Sequence, residues 1–421
     1  MARLRVATVI TRLSAGAGGV ALRGARALDP ARYDVTVVAG GTGLDGRSVS
    51  GAAGVLTGAA AVAELPLGDL LGEAHTAGLS VVRVPDLVPR ISPGRDLAAL
   101  RSLTRVLAAG DFDVVHTHTS KAGALGRLAA SRLSPTAQRG DRSGGGPVRI
   151  VHTFHGLPFH RCQPVWRRGL YLGIERWLGR RTDAFLAVGG AVAAEAVRRG
   201  VAAADRIRVI APAVDPAPPV GPGSARRRLG LPPGVRVVGT VGRIDHQKAP
   251  EEWVDAVAAA GGDAWGVWIG DGPLRDRLLA RVRDRGLAER FRWLGHRTDV
   301  ARLLPAFDVF ALASRYEGQP CVVVEAMQAR VPVVATAVDA VPELVVAGET
   351  GMLAPPGRPD LLGRAIGHLL DSPAEARRMA ATAASRLGDR FTAGTLGTIL
   401  DQTYRGATDA ARVTSRPRGS R

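Results

Sequence analysis

At 421 residues the chain can hold two domains of ordinary size, each with a buried core of its own. Only 4% of it is aromatic, so those cores must be built from Val, Leu, Ala and Ile, and no run of about 18 apolar residues exists to cross a bilayer. A formal net charge of +18 selects anionic partners, while the two cysteines, Cys162 and Cys321, exclude a disulfide framework and read as cytoplasmic thiols. Of the 56 basic residues only Lys121 and Lys248 are lysine. A lysine kept against that bias marks a place that wants a compact ammonium on a flexible stem and not a planar fork.

The first apolar run, Leu4–Ile10, is stopped by Thr11 and Arg12, too soon for a signal-peptide core, and reads as a buried strand. Ala15-Gly-Ala-Gly18-Gly19 follows it and opens a helical segment, where glycines let the backbone approach a phosphate or a sugar. Further strands are expected at Val35–Ala39, Val81–Pro85, Val114–Thr117, Arg149–Phe154, Ala184–Val188 and Ile207–Ala211. Between them, Gly40–Ala63 has no clear period and Pro135–Pro147 is a polar loop. Gly41-Thr-Gly43-Leu-Asp-Gly46 fits the dinucleotide pattern by letter, but it follows the second strand with no helix behind it and is set aside.

Two of these strands end in histidines: His116-Thr-His118-Thr-Ser-Lys121 and His152-Thr-Phe-His155-Gly156. No carboxylate or cysteine joins them at ligand spacing, so a metal site is not expected, and hydrogen bonding to a substrate or packing against neighbours is. Asp111-Phe-Asp113 runs directly into Val114 and reads as the cap of a strand entry. Trp166-Arg-Arg-Gly-Leu-Tyr171-Leu-Gly-Ile-Glu-Arg-Trp177 is amphipathic and basic: a helix packed in the first domain, or one that touches an anionic membrane surface.

The prolines from 212 to 233 read as a linker, after which a second series of strands begins at Arg236–Val241, Gly266–Ile269, Phe291–Leu294, Val309–Leu312 and Val331–Ala335. Continuous apolar strands alternating with helices require parallel sheets covered on both faces, hence two doubly wound α/β domains with ligands at the carboxyl ends of their strands, in a cleft between the halves. The boundaries expected are 1–212 for the first domain, 213–234 for the linker and 235–392 for the second domain. A helix at 393–410 then crosses back to the first domain, and a basic, disordered tail follows at 411–421.

In the second domain a buried strand ends in Val238-Gly-Thr-Val-Gly-Arg243-Ile-Asp-His-Gln-Lys248, where a guanidinium can grip a diphosphate and an ammonium can add a point charge. Glu317-Gly-Gln-Pro-Cys-Val-Val-Val-Glu325 follows the strand Val309–Leu312. Pro320 suits the first turn of a helix to about Ala329, so the amides near Gly318, Cys321 and Val322 offer an anion the positive helix end. Glu317 stands in the loop and Glu325 about two turns away. One carboxylate can reach a sugar and the other a ribose diol; a capping acid and a solvated helix acid are the plainer alternative.

Taken together these residues resemble glycosyltransferase family 4, retaining enzymes with the GT-B fold, over nearly the whole chain from Leu4 to about Tyr404. The likeness is strongest across Thr240–Lys248, IGDGPL at 269–274, FRWLGHRTDV at 291–300, Ser314–Thr336 and Val341–Leu353, and the first half is similar to the bacterial exopolysaccharide and capsule subgroup. The resemblance implies that Arg243 and Lys248 bind the donor diphosphate, Glu317 contacts the transferred sugar and Glu325 the ribose. It also implies that Gly18 and Gly19 close over the phosphates, His155 faces the sugar and Arg297 lies beside the base, with no metal or other cofactor. His118 and Lys121 are the acceptor-side candidates. One departure stands out: the paired glycines usual before the Pro-Glu of the second domain are Asp339–Ala340 here.

The expected activity is transfer of a hexosyl-type group from a UDP or GDP sugar to a lipid-linked or polysaccharide-precursor acceptor, with the enzyme cytoplasmic or peripheral on the inner face of the membrane. Alternatives are a GT-B-type nucleotide-sugar epimerase and a non-catalytic basic scaffold on membrane or nucleic acid. So aromatic-poor a chain has little with which to stack bases, and nucleic acid is not an expected partner.

Overall fold

Valine and alanine, supplied by the sequence in place of aromatics, fill the strands. The computed structural model describes residues 3–14, 16–40, 70–133 and 147–414, with side chains of the last helix described to residue 406. Ala15, most of the glycine-rich stretch with its Gly41–Gly46 match, the loop at 135–146 and the tail beyond 414 lie outside the described residues. The chain divides into two units, Met1–Ala213 with Ala393–Arg421, and Val214–Thr392.

The first unit alternates strand and helix: β1 Leu4–Ile10, α1 Ala17–Arg26, β2 Tyr33–Gly40, α2 Leu71–Thr76, β3 Ser80–Val84, α3 Pro93–Gly110, β4 Val114–His118, α4 Ser120–Ala130, β5 Arg149–Phe154, α5 Val165–Gly179, β6 Ala184–Val188, α6 Gly190–Arg198 and β7 Ile207–Ile210. All pairings are parallel, in the order β3-β2-β1-β4-β5-β6-β7. Asp113 ties β4 to its neighbour at the start, its Oδ2 accepting the Arg5 N–H at 2.8 Å.

The second unit runs α7 Pro222–Arg228, β8 Val237–Val241, α8 Pro250–Ala259, β9 Trp265–Ile269, α9 Arg275–Asp284, β10 Phe291–Trp293, α10 Val300–Leu303, β11 Val309–Leu312, α11 Cys321–Gln328, β12 Val333–Thr336, β13 Met352–Ala354, α12 Pro359–Asp371 and α13 Pro373–Leu387. Its sheet is parallel, ordered β10-β9-β8-β11-β12-β13. The core centres on Trp253 and Trp268, which meet edge to face with ring centroids 5.3 Å apart. Finally α14, Ala393–Thr414, returns to the first unit, where Leu396, Leu400 and Tyr404 are buried.

Three local readings of the sequence change. The stretch at 213–234 is not all linker: α7 lies in it, and Arg226 donates to Asp308 Oδ2 at 2.7 Å and to the Val235 carbonyl at 3.1 Å, which pins that helix to the second unit. The last helix continues to Thr414, past the expected start of the tail at 411. The twelfth strand begins at Val333 and not at Val331, because Pro332 has no N–H to give the ladder and contributes only its carbonyl, to Phe310 N at 2.8 Å.

Both sheets reverse their strand order beside their first strand, between β1 and β4 in one and between β8 and β11 in the other. At such a reversal the loops leaving two neighbouring strands turn to opposite faces and leave a crevice at the strands' carboxyl ends. The candidate residues collect at those two places.

Candidate active site

In the second unit the chain leaves β8 through the turn 242–249. Indoles of two neighbouring strands hold the loops there: Trp268 Nε1 donates to the Gly242 carbonyl at 2.9 Å and Trp293 Nε1 to the Gly270 carbonyl at 2.8 Å. Lys248 extends from this turn to Glu317 in the loop after β11, Nζ to Oε1 at 2.5 Å. The carboxylate is 8% exposed and has two more donors, Ser314 Oγ at 2.7 Å on Oε1 and Gln247 Nε2 at 3.1 Å on Oε2. A buried ion pair survives only when its remaining hydrogen-bonding valences are met, and the Glu317 carboxylate has them met by Ser314 and Gln247 while the Lys248 side chain stays 16% exposed.

The Glu317 backbone N–H donates to Asp339 Oδ2 at 2.6 Å. Asp339 has φ 43°, in the left-handed region that favours glycine, and it stands where the resemblance expects one. The aspartate therefore adopts the glycine's backbone and adds a carboxylate that fixes the loop carrying Glu317. Arg243 is exposed and turns its Nε and Nη2 to Asp245 Oδ2 at 2.6 and 2.5 Å, while Asp245 Oδ1 accepts the Lys248 N–H at 3.2 Å. Each expected cation is thus matched by one carboxylate.

Helix α11 opens beside Glu317. Its N-cap is Pro320, no side chain caps it and no acid lies in its first turn, so the positive end of the helix is left uncompensated by its own residues. Gly318 is buried, Cys321 and Val322 are half-buried, and Glu325 is half-buried one turn on. Gln319, 7% exposed, has an Oε1 with no hydrogen-bond partner among the described residues. Gln319, Gln247, Asp245 and Ser314 join the site with no signal in the sequence beyond adjacency to Lys248 and Glu317. Arg297 stands in the loop after β10 with its fork closed on Asp299, both bonds at 2.8 Å.

In the first unit a Cβ on Gly18 would lie 2.9 Å from the Leu13 carbonyl carbon, so glycine is required there by the chain's own backbone. At Gly19 the nearest atom is the movable Arg23 Nη1, at 2.7 Å. The histidines gather at the ends of β4 and β5. His118 Nδ1 and His155 Nε2 are 2.9 Å apart; His116 bonds the Tyr404 hydroxyl at 2.6 Å through Nδ1 and the Thr153 hydroxyl at 2.7 Å through Nε2. His152 Nδ1 meets the Thr117 hydroxyl at 2.9 Å.

Burial pulls His155 down to about 4 and His116 to about 3, the latter with help from His155; His118 and His152 fall well below the ordinary imidazole value for the same first cause. At neutral pH the four rings are neutral hydrogen-bonding groups. Lys121, placed by the sequence on the acceptor side, has its ammonium on Asp96 Oδ1 at 2.6 Å and on the Arg90 carbonyl, where it ties α4 to the start of α3. Among the described residues no group of three or more His, Cys, Asp or Glu side chains is arranged to hold a metal ion.

Two doubly wound units, one carrying neutral imidazoles at its strand reversal and the other an ammonium, a guanidinium, carboxylates and a helix end, define a glycosyltransferase of the GT-B class that uses a nucleotide-sugar donor. Residues 14–218 match the profile of Glycosyltransferase Family 4, and residues 224–386 that of Glycosyl transferases group 1. The chain belongs to glycosyltransferase family 4.

It is 31% identical over 277 residues, 63% of this chain and 67% of the relative, to the UDP-Gal:alpha-D-GlcNAc-diphosphoundecaprenol alpha-1,3-galactosyltransferase of Escherichia coli. It is 33% identical over 290 residues, 66% of this chain and 73% of the relative, to the 2-deoxystreptamine glucosyltransferase of Streptomyces kanamyceticus. Among solved structures, the sucrose-phosphate synthase of Thermosynechococcus elongatus matches 97% of this chain and 100% of its own with a TM-score of 0.76 at 22% identity. The Anabaena protein HepE, in complex with UDP and glucose, matches 96% of this chain and 100% of its own with a TM-score of 0.73 at 20% identity.

Proposed function

We propose that the enzyme moves a hexosyl group from a UDP or GDP sugar to a hydroxyl of a lipid-linked or polysaccharide-precursor glycan, at the inner face of the membrane, with retention of anomeric configuration and without a divalent ion. The observation that carries this reading is the Lys248–Glu317 contact at the strand reversal of the second unit, beside the uncapped start of α11. A departing nucleoside diphosphate needs positive charge close to its oxygens. Lys248, Arg243 and the amide end of α11 supply it, and Glu317 holds the ammonium in place until the donor's phosphates share it.

Glu317 then borders the transferred sugar and Glu325 the ribose hydroxyls, while neutral His155 gives the sugar a hydrogen bond without bringing a charge. Among the described residues no side chain is assigned as a covalent nucleophile, and in this proposal retention comes from attack of the acceptor oxygen on the face the phosphate leaves. The acceptor class is supported by the Escherichia coli relative, whose name specifies a diphosphoundecaprenol-linked sugar.

A thermal-shift screen of nucleotide sugars tests the donor: the right one, at 100 times its Kd, stabilises the fold by about 2.7 kcal/mol, and a screen with no shift contradicts the reading. Proton NMR of the product tests retention, and an inverted anomer overturns it. An epimerised sugar formed from the donor with no acceptor present would make the enzyme an epimerase, whereas slow release of the unchanged sugar is what a transferase gives.

A further inference from the structure

Helix α5 shows its apolar side to solvent. Trp166 is 72% exposed, Leu170 54%, Ile174 39% and Trp177 41%, and at this spacing the four line one face of the helix. Of the eight large apolar side chains exposed among the described residues, five belong to α5, Val165 being the fifth. The buried side holds Glu175, whose Oε2 accepts from Arg127 Nη2 at 2.7 Å; Arg127 is itself wholly buried and also donates through Nε to the Gly123 carbonyl at 2.8 Å. A desolvated ion pair tolerates little displacement, so this one sets the rotation of α5 on α4 and keeps the tryptophans turned outward.

We infer that this face docks the enzyme on an anionic lipid surface, with Trp166, Leu170, Ile174 and Trp177 entering the interfacial layer and the neighbouring arginines meeting head-group phosphates. The inference rests on the proposed membrane-held acceptor and names the surface that would bring the enzyme to it. Charge selects the occupant. Between residues 160 and 181 there are six arginines, at 161, 167, 168, 176, 180 and 181, and the single acid, Glu175, is buried against Arg127.

A second copy of the chain on the same face would set arginine against arginine, whereas anionic lipid matches both the apolar stripe and its basic rim. Arg181 lies 3.9 Å from the Trp177 ring centroid and Arg167 donates to the Tyr171 hydroxyl at 3.1 Å, so two of the cations flank the stripe. No helix among the described residues is long and apolar enough to cross a membrane, and α5 has the composition of one that lies on it.

The test is co-sedimentation of the full chain with vesicles of phosphatidylglycerol and phosphatidylcholine in equal parts, against phosphatidylcholine alone. The parent should pellet with the first and not the second, losing binding as salt rises. The combined Trp166→Ser, Leu170→Ser, Trp177→Ser variant should bind at least about tenfold more weakly. Tryptophan emission of the parent should shift to the blue with the anionic vesicles and not in the conservative Trp166→Phe, Trp177→Phe variant; of the other four tryptophans Trp253, Trp265 and Trp268 are already buried and Trp293 is half-buried, so the difference reports α5 even if the serine variant fails to fold.

A parent that ignores anionic vesicles and shows no emission shift overturns the inference, as does a folded variant that binds like the parent. So does a parent that is a dimer, with the variant monomeric and neither binding lipid. Sugar release from the donor in solution should be the same for parent and variant. If vesicle binding behaves as stated but no donor is ever turned over, the proposed function fails and the docking surface stands.

Discussion

The two strand reversals are built on opposite electrostatic plans. In the second unit Lys248, Glu317, Arg243 and Asp245 form two ion pairs, each cation with a carboxylate oxygen 2.5 Å away. In the first unit His116, His118 and His152 are buried and His155 is half-buried, with hydroxyls and one another as partners, and desolvation holds all four imidazoles below their ordinary value. In the proposed function this difference divides the labour. A diphosphate needs fixed positive charge whose desolvation is already offset, and sugar hydroxyls need donors and acceptors that do not attract phosphate in their place.

Removing the ammonium should have the largest effect. In Lys248→Ala transfer should fall by about two to three orders of magnitude in kcat/KM, the range found for a single lost electrostatic donor. The fold should also weaken by about 3 kcal/mol, because Glu317 loses the partner of a buried pair, which chemical denaturation would read. A variant with full stability and full turnover would erase the contrast between the units.

The histidines should show themselves through pH. Their folded values lie below the unfolded value of about 6.5, so their stability is present above it and is lost as pH falls, through about 4 for His155 and about 3 for His116. Each histidine that must stay neutral costs about 1.4 kcal/mol per pH unit below 6.5. Melting temperature should therefore fall steeply from pH 7 to pH 5 and recover on return. A flat profile would mean that the rings find solvent or counter-charge.

How much of this was open to sequence reading depends on the range of the interaction. The strands were, because a parallel sheet covered on both faces writes itself as unbroken valine and alanine; β13, three residues at a sheet edge, leaves no such run. Lys248 and Glu317 could each be named from local pattern. Their contact, and the Gln247 and Ser314 bonds that complete it, depends on two loops that only the strand order β8-β11 makes neighbours. Tyr404 on His116 was out of reach for the same reason. Lys121 was a rare lysine beside histidines, and its Asp96 partner on another helix could not be seen.

Asp339 offers the smallest and most specific effect. Sequence alone marks it as a missing glycine; the structure gives it the Glu317 N–H. Asp339→Gly relieves the left-handed backbone but removes that acceptor, and kcat should fall about fivefold to tenfold, the equivalent of one hydrogen bond, with the melting temperature nearly unchanged. A gain in activity would show that the carboxylate competes with the donor.

The claim beneath all of this is that an ammonium and a helix end, with Arg243 beside them, hold the nucleoside diphosphate without help from a divalent ion. Calorimetric titration of UDP and GDP into the parent and into Lys248→Ala, both in excess chelator, addresses it directly. The account predicts that one of the two nucleotides binds the parent under chelation and binds the variant about a hundredfold more weakly. Binding that appears only when a divalent ion is restored, or that is equal in parent and variant, would contradict it.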